Sequence, residues 1–294
     1  MGHVMRDLVL ARQIKDAEII FACQDLDGNI MDKIPYSTII LDTNDSEELI
    51  EVLKKHAVDF LVIDHYAIGF EEERKIKKSI DIKILSFDDN YQKHYCDILL
   101  NQSLHASEQK YDALVQPSTT LLCGREYILI HGDFFHIRKS EPKNDHILVA
   151  LGGGEIRQEI IKIVECIKRV TSLPIVVIGR QVSDKDFKDG QIICKTFTDD
   201  MPQLMYDAKL VVSSLGMTAY EVMFLKKPVF PLKTAQNQKE IAKFFVHHGV
   251  SYMDLKDINF LSFEKRLKEV LQDSELSYPE NWINPKQDWI NQFL

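Results

Sequence analysis

The feature that most constrains the fold is an alternation of short apolar runs with amphipathic segments along the chain. The runs "FLVIDHY" and "DIKILSFDD" are short and end in polar residues, which is typical of buried parallel strands. Charged stretches of helical length, such as "EEERKIKKSI", separate such runs. This βαβ rhythm predicts an α/β fold built on open parallel sheets.

The rhythm is interrupted once, at the polar segment "RKSEPKNDH" (138–146), which holds a proline and lacks apolar periodicity. It restarts with "HILVALGGG", a predicted strand that runs into three glycines, and continues with a long amphipathic helix. A chain of 294 residues is also longer than one hydrophobic core usually serves. We therefore predict two Rossmann-like domains with a cleft between them, residues 1–139 and 140–294.

Composition excludes several classes of protein. The formal net charge is −9 and the basic residues are dispersed, so a nucleic-acid partner is not expected. The five cysteines form no C-x-x-C pair, which indicates neither a zinc site nor a disulfide framework. No apolar run reaches about 18 residues, and no signal peptide is visible. We expect a soluble, cytoplasmic protein with no stable membrane association.

Polar residues at strand ends are the first candidates for a site, because ligands of open parallel sheets bind beyond the carboxyl ends of the strands. Asp64, His65 and Tyr66 follow one predicted strand, Asp88 and Asp89 follow the next, and Asn101 ends the run "CDILLNQ". Asp64 equally fits a helix N-cap, which is a structural role. Both interpretations of Asp64 stay open at this point.

Two strand-to-helix junctions in the second half fit a phosphate group. Gly152 and Gly153 lie in "LGGGE", where glycines let the backbone approach a ligand and the helix start offers free N–H donors. The second junction comprises Ser214, Leu215, Gly216, Met217 and Thr218. Glu221 shares a helix face with Thr218, and its carboxylate suits the two hydroxyls of a ribose. The alternatives are a tight turn without a ligand and a solvated helix acid.

An amide cluster follows this junction. Asn237 and Gln238 lie in "TAQNQKE", directly before a predicted helix. Amides can recognise uncharged hydroxyl and acetamido groups, as on a sugar. A plain polar loop is the competing interpretation.

Taken in order, these segments resemble known families. "FTDDMPQLMYDAKLVVSSLGMTAYEVMF" is similar to the UDP-binding half of the N-acetylglucosaminyltransferases that make lipid II, with one more residue between serine and glycine than their commonest pattern. "GHVMRDLVLAR", "LVIDHYAIG", "ILSFDD" and "CDILLNQ" resemble the UDP-sugar hydrolases of pseudaminic acid biosynthesis. Those enzymes cleave UDP from 2,4-diacetamido-2,4,6-trideoxy-β-L-altropyranose, and the likeness spans nearly the whole chain.

The resemblance implies a GT-B fold and a set of roles. It implies that His3 is the base that activates water, and Gly2 and Arg6 beside it are predicted to bind the substrate. Tyr66 follows a strand end that would face the cleft, so we expect it to position the substrate. It also implies that uracil lies near Phe197 and Thr198, that ribose meets Glu221, and that the diphosphate meets the turn 214–218. The last stretch, "NPKQDWINQFL", would cross back to the first domain.

Three further expectations follow from the likeness. An imidazole base can take a proton from water, and UDP can leave without a protonated acid, so neither a metal nor a cofactor is required. A single displacement by water implies inversion at the anomeric carbon. The protein would act on a UDP-sugar as a monomer or weak oligomer, in a route that leads to flagellin glycosylation.

The opening "MGHVMRDLVLAR" resembles a strand-to-helix turn with no strand before it. Because the first strand of a Rossmann sheet is central, we expect the native product to begin some 10–20 residues before Met1. Two other functions remain open from the sequence. One is a glycosyltransferase that passes the sugar to an acceptor, and the other is a UDP-sugar binder without catalysis.

Overall fold

The structure is a computed structural model that describes residues 2–137, 141–152, 155–187, 190–198, 200–273 and 278–294. The chain forms two compact units. The first comprises 1–129 together with 285–294, and the second comprises 130–284. The division thus falls before residue 139, where the sequence placed the boundary, and the chain's last residues belong to the first unit.

The helices and strands of the first unit alternate in its middle part, whereas the first two strands and the last three strands follow one another without a described α-helix between them. In chain order they are α1 (Gly2–Ala11), β1 (Ile20–Cys23), β2 (Ser37–Ile40), α2 (Ser46–Lys55), β3 (Phe60–Ile63), α3 (Phe70–Ser79), β4 (Lys83–Phe87), β5 (Ile98–Asn101) and β6 (Thr120–Cys123).

All strand pairs of the first unit are parallel. Strands β3, β4, β5 and β6 form a sheet in that order, while β1 and β2 form a separate two-stranded sheet. The sites predicted from "FLVIDHY" and "DIKILSFDD" therefore lie at the carboxyl ends of adjacent strands β3 and β4.

Alternate residues of the four-stranded sheet face two different cores. Leu85 and Leu100 pack with Val9 and Leu10 of α1 on one face, in a cluster that also contains Trp289. On the other face, α2 and α3 cover a second cluster that includes Ile63, Ile84, Leu99 and Ile76. This period of two is what a strand covered on both faces requires. The packing of α1 against the sheet places the start of the helix close to the end of β3.

The second unit repeats the βαβ pattern. Its elements are β7 (His146–Ala150), α4 (Arg157–Val170), β8 (Ile175–Ile178), β9 (Ile192–Lys195), α5 (Met201–Asp207), β10 (Ala208–Ser214), α6 (Met217–Phe224), β11 (Val229–Lys233), α7 (Lys239–His247), β12 (Met253–Asp254) and α8 (Phe260–Gln272).

The strands of the second unit form one parallel sheet in the order β9-β8-β7-β10-β11-β12. This is the Rossmann order, in which the chain direction across the sheet reverses between the first and fourth strands. The reversal lies between β7 and β10, whose register pairs Ala150 with Ser213. The loops that follow β7 and β10 therefore lie side by side, at the point where such folds bind ligands.

Candidate active site

The first unit brings three predicted residues into direct contact. Nδ1 of His3 lies 2.7 Å from Oδ1 of Asp64. Arg6, one turn further along α1, donates from Nε to Oδ2 of Asp64 at 2.5 Å and from Nη2 to Oδ1. The exposed fraction of the side chain is 38% for His3 and 4% for Asp64. In this site an accessible imidazole contacts a buried carboxylate, and the Arg6 guanidinium pairs with the same carboxylate.

Asp64 is held in its charged form. Burial alone would raise the pKa of Asp64, but the hydrogen bonds and charges of Arg6 and His3 lower it to about 2. An ionised carboxylate can only accept, so Nδ1 of His3 is the donor in this contact. Nε2 of His3, for which the described residues provide no hydrogen-bond partner, then carries the lone pair that can accept a proton. Helix α3 begins after Gly69, so Asp64 does not cap it.

Tyr66 lies against the imidazole. The rings of His3 and Tyr66 meet edge to face, with centroids 5.1 Å apart and an interplanar angle of 84°. The Tyr66 hydroxyl donates to Oδ2 of Asp89 at 3.1 Å. Burial and the nearby Asp89 carboxylate raise the pKa of Tyr66 to about 12. The phenol is therefore a neutral group whose oxygen can still accept a hydrogen bond.

Asp88 and Asn101 lie behind this surface and contact protein groups. Both side chains are buried. Oδ2 of Asp88 accepts from the Tyr111 hydroxyl at 2.5 Å, and Nδ2 of Asn101 donates to the same hydroxyl at 2.9 Å. Asn101 also accepts from the backbone N–H of Ser103 at 3.1 Å. Their prediction as substrate-binding residues remains a prediction.

Two further carboxylates belong to this site. Asp89 lies at the predicted strand end together with Asp88, but only Asp88 was predicted to bind substrate, because the sequence does not show which of two adjacent carboxylates faces outwards. Asp7, next to Arg6 on α1, has a raised pKa because of burial and the neighbouring Asp64 carboxylate. The spacing of Asp7 from His3, one helical turn, was the available signal.

The second unit presents the start of α6 beside the loop after β7. A Cβ placed on Gly152 would lie 3.8 Å from Oγ of Ser214, and Gly152 has φ +83°. Ser214 ends β10, and Gly216 and Met217 lead into α6, where Thr218 occupies the first turn. The first backbone N–H groups of a helix have no partner within it and attract anions. Gly153 lies outside the described residues.

Glu221 lies one turn further along α6. Burial raises its pKa to about 8. Ionisation of this carboxyl group is costly in the free protein, and a ligand that supplies hydrogen-bond donors would stabilise the ionised form. Two vicinal hydroxyls would meet that requirement.

The remaining predicted residues of the second unit differ in exposure and in their partners. Phe197 has an exposed fraction of 52% and precedes Thr198, whose hydroxyl accepts from the N–H of Asp200 at 3.3 Å. Asn237 is exposed, whereas Oε1 of Gln238 accepts from the N–H of Thr234 at 2.7 Å. Leu215 is buried, so its backbone is the part available to a ligand.

Comparison with known proteins decides the family. A curated protein of Campylobacter jejuni, the UDP-2,4-diacetamido-2,4,6-trideoxy-β-L-altropyranose hydrolase, is 30% identical over 257 residues, which cover 84% of this chain and 92% of that protein. The chain belongs to the family of this UDP-sugar hydrolase. The predicted likeness is confirmed. No protein-family model matches the chain.

Solved structures place this hydrolase-family chain in the GT-B fold. MurG of Acinetobacter baumannii superimposes with a TM-score of 0.62 at 13% identity, over 100% of this chain and 96% of MurG. The UDP-GlcNAc 2-epimerase of Methanocaldococcus jannaschii gives 0.59 at 12% identity, over 98% and 93% of the two chains. At such identities the likeness shows the fold alone, and it confirms the predicted α/β architecture of two Rossmann-like domains.

The described residues contain no cluster of three or more His, Cys, Asp or Glu side chains arranged to hold a metal ion. Within the same residues, no helix has the length and apolar character needed to cross a membrane.

Proposed function

We propose that the protein hydrolyses a UDP-linked 2,4-diacetamido-2,4,6-trideoxy sugar to UDP and the free sugar. The observation that carries this proposal is the contact between His3 and Asp64, at 2.7 Å. It gives the accessible imidazole an ionised partner at Nδ1 and leaves Nε2 as a base, the arrangement that activates a nucleophile in hydrolytic enzymes. The C. jejuni relative is a hydrolase by name.

The chemical step follows from these roles. Nε2 of His3 takes a proton from water as the water oxygen forms a bond to the anomeric carbon. The bond between that carbon and the phosphate oxygen breaks, and UDP leaves with the electron pair. Asp64 stabilises the imidazolium that forms. One displacement inverts the anomeric configuration.

The second unit supplies the nucleotide contacts in this proposal. The N–H groups at the start of α6, from Gly216 to Thr218, meet the negative charge of the diphosphate. Glu221 accepts from the ribose hydroxyls, and the ring of Phe197 packs on uracil. Asn237 and Gln238 recognise the acetamido groups of the sugar. Because backbone donors offset the charge of the leaving group, the reaction proceeds without a metal ion, in the route to pseudaminic acid.

Proton NMR of the protein with the UDP-sugar, without any acceptor, tests this function. The signals of UDP and of the free sugar should grow together, with the inverted anomer appearing first. His3→Asn should abolish turnover and leave UDP affinity nearly unchanged. Full activity of His3→Asn would show that His3 is not the base.

A glycosyltransferase is the second candidate, because the GT-B fold fits transfer to an acceptor as well as hydrolysis. It would use the same base to deprotonate an acceptor hydroxyl in place of water. A UDP-sugar that stays intact until an acceptor is added would support this candidate. A third outcome, UDP binding without turnover under either condition, would indicate a sugar-nucleotide binder.

A further inference from the structure

A network of buried polar side chains lies behind Tyr66 and Asp89, and the proposed chemistry does not use it. Glu73 of α3 has an exposed fraction of 0%, although it is a carboxylate. Its Oε1 lies 2.7 Å from Nδ1 of His94 and accepts from the Ser86 hydroxyl at 2.6 Å. Burial of a charged group is costly unless the charge is paired. His94 provides this pairing and so offsets the cost of burying the Glu73 carboxylate.

His94 has a second carboxylate on its other side. Its Nε2 lies 4.0 Å from Oδ1 of Asp88, and the exposed fraction of the His94 side chain is 4%. Among the described residues Nε2 has no hydrogen-bond partner, so Asp88 acts on it as a charge. Burial would lower the pKa of His94, but the hydrogen bond to Glu73 and the negative charges of Glu73 and Asp88 raise it to about 9. An imidazolium therefore bridges α3 and the residues that follow β4.

This arrangement fixes the loop between β4 and β5, which carries Asp89. Glu73 accepts from the backbone N–H of Tyr95, at 2.5 Å, near the end of that loop. Asp88, at its start, accepts from the N–H groups of Asn90 and Gln92 at 3.0 and 3.2 Å. Asp89 follows Asp88 directly and accepts from the Tyr66 hydroxyl. Nη1 of Arg6 also lies 3.8 Å from Oδ2 of Asp89. The backbone that orients Asp89 starts from Asp88, the residue that faces Nε2 of His94.

We propose that His94 is a positioning residue: held between Glu73 and Asp88, it fixes Asp89 as the acceptor for Tyr66, and so fixes Tyr66 edge-on to His3. The kinetic consequence rests on the proposed function. The positioning of Tyr66 does not, so the two parts are tested separately.

The first test is the titration of Tyr66 by NMR of protein labelled with ¹³C at tyrosine Cζ, with Tyr66→Phe to assign the signal. In the unchanged protein, burial and Asp89 hold the pKa of Tyr66 at about 12. In His94→Gln, Asp89 loses its fixed position, and the pKa of Tyr66 should fall towards the ordinary value of 10.0. An unchanged Tyr66 titration in folded His94→Gln would overturn the proposal.

The second test is a double-mutant cycle on hydrolysis. His94→Gln should lower kcat by about tenfold to 100-fold, the cost of a misplaced group near the chemistry, and leave KM for the UDP-sugar unchanged. Asp89→Asn should act in the same way, and the double variant should be no slower than the slower single variant. Losses that multiply would show that the two residues act independently, which contradicts the proposal.

Controls separate positioning from folding. Ile76→Val, in the core cluster beneath α3, should retain both kcat and the Tyr66 titration. If His94→Gln does not fold, Glu73→Gln decides, because it removes the charge that pairs with Nδ1 of His94 and keeps the size of the side chain: a lowered Tyr66 pKa supports the proposal and an unchanged value overturns it. If the Tyr66 pKa falls in His94→Gln but the unchanged protein does not hydrolyse the UDP-sugar, the proposed function is rejected and the positioning role of His94 stands.

Discussion

Nδ1 of His3 and Oδ1 of Asp64 lie 2.7 Å apart, although 61 residues separate them in the sequence. The helix that carries His3 packs on the sheet whose strand end carries Asp64, so the contact is a product of the tertiary fold. Arg6 keeps the carboxylate charged, since its hydrogen bonds offset the effect of burial on the pKa of Asp64. The pair fixes the tautomer in which the accessible ring nitrogen is basic.

Asp64→Asn should lower kcat by about 10²–10⁴-fold, because an amide neither fixes the required tautomer nor stabilises the imidazolium. UDP affinity should change little. Asp59→Asn, at the opposite end of β3 and exposed, is the matched control and should retain full activity. Steady-state kinetics and calorimetric titration with UDP measure both effects. Equal activity of the two variants would contradict the role of Asp64.

Glu221 should make the ligand-free protein less stable as pH rises. Burial raises its folded-state pKa from 4.5 to about 8, so the folded protein binds more protons than the unfolded chain between these values. The free energy of unfolding therefore decreases across this window as pH increases. Glu221→Gln should lack this decrease, whereas Glu269→Gln, at an exposed position of α8, should retain it. Urea unfolding at several pH values measures it, and identical profiles for wild type and Glu221→Gln would refute the prediction.

Glu221→Ala should weaken UDP binding by about 1–3 kcal/mol, the range for loss of hydrogen bonds to a charged group. The ribose hydroxyls would lose their acceptor, while the diphosphate contacts at the start of α6 would remain. Calorimetric titration with UDP and with inorganic diphosphate separates a loss of ribose contacts from a loss of diphosphate contacts. If diphosphate binding fell as much as UDP binding, the effect would come from a disturbed helix and not from the ribose.

Gly152→Ala should destabilise the second unit by about 1–2 kcal/mol, the cost of a left-handed backbone conformation for a residue with a Cβ. The positive φ of +83° is the cause, since the added Cβ would make an ordinary contact with Ser214 at 3.8 Å. Gly132→Ala, where φ is not in the left-handed region and no atom lies within 4 Å, is the matched control. Thermal unfolding that shows equal losses for the two would contradict this assignment.

Local pattern was sufficient to predict the sheets and the strand ends that carry the candidate site. The apolar runs "FLVIDHY", "DIKILSFDD" and "HILVALGGG", which were expected to be strands, form β3, β4 and β7, because burial on both faces leaves a continuous apolar signal. The start of α1 and the turn after β10 were recognised from short segments that resemble known families. The sequence allowed two roles for Asp64, a helix N-cap and a site residue. Its contact with His3 supports the second role.

Long-range pairing could not be predicted from the sequence. Glu73 and His94 are 21 residues apart and lie among ordinary charged residues, and nothing local shows that both are buried. The choice between Asp88 and Asp89 depends on how the chain turns after β4. The division of the chain before residue 139 depends on tertiary packing in the same way, since Trp289 joins the core of the first unit.

The most direct test of the central claim is hydrolysis of the UDP-sugar in water enriched in ¹⁸O, followed by mass spectrometry of both products at early times. Attack of water at the anomeric carbon, with His3 as the base, predicts that the label enters the sugar at that carbon and that UDP carries none. Label in the terminal phosphate of UDP would show attack at phosphorus, and would contradict the account.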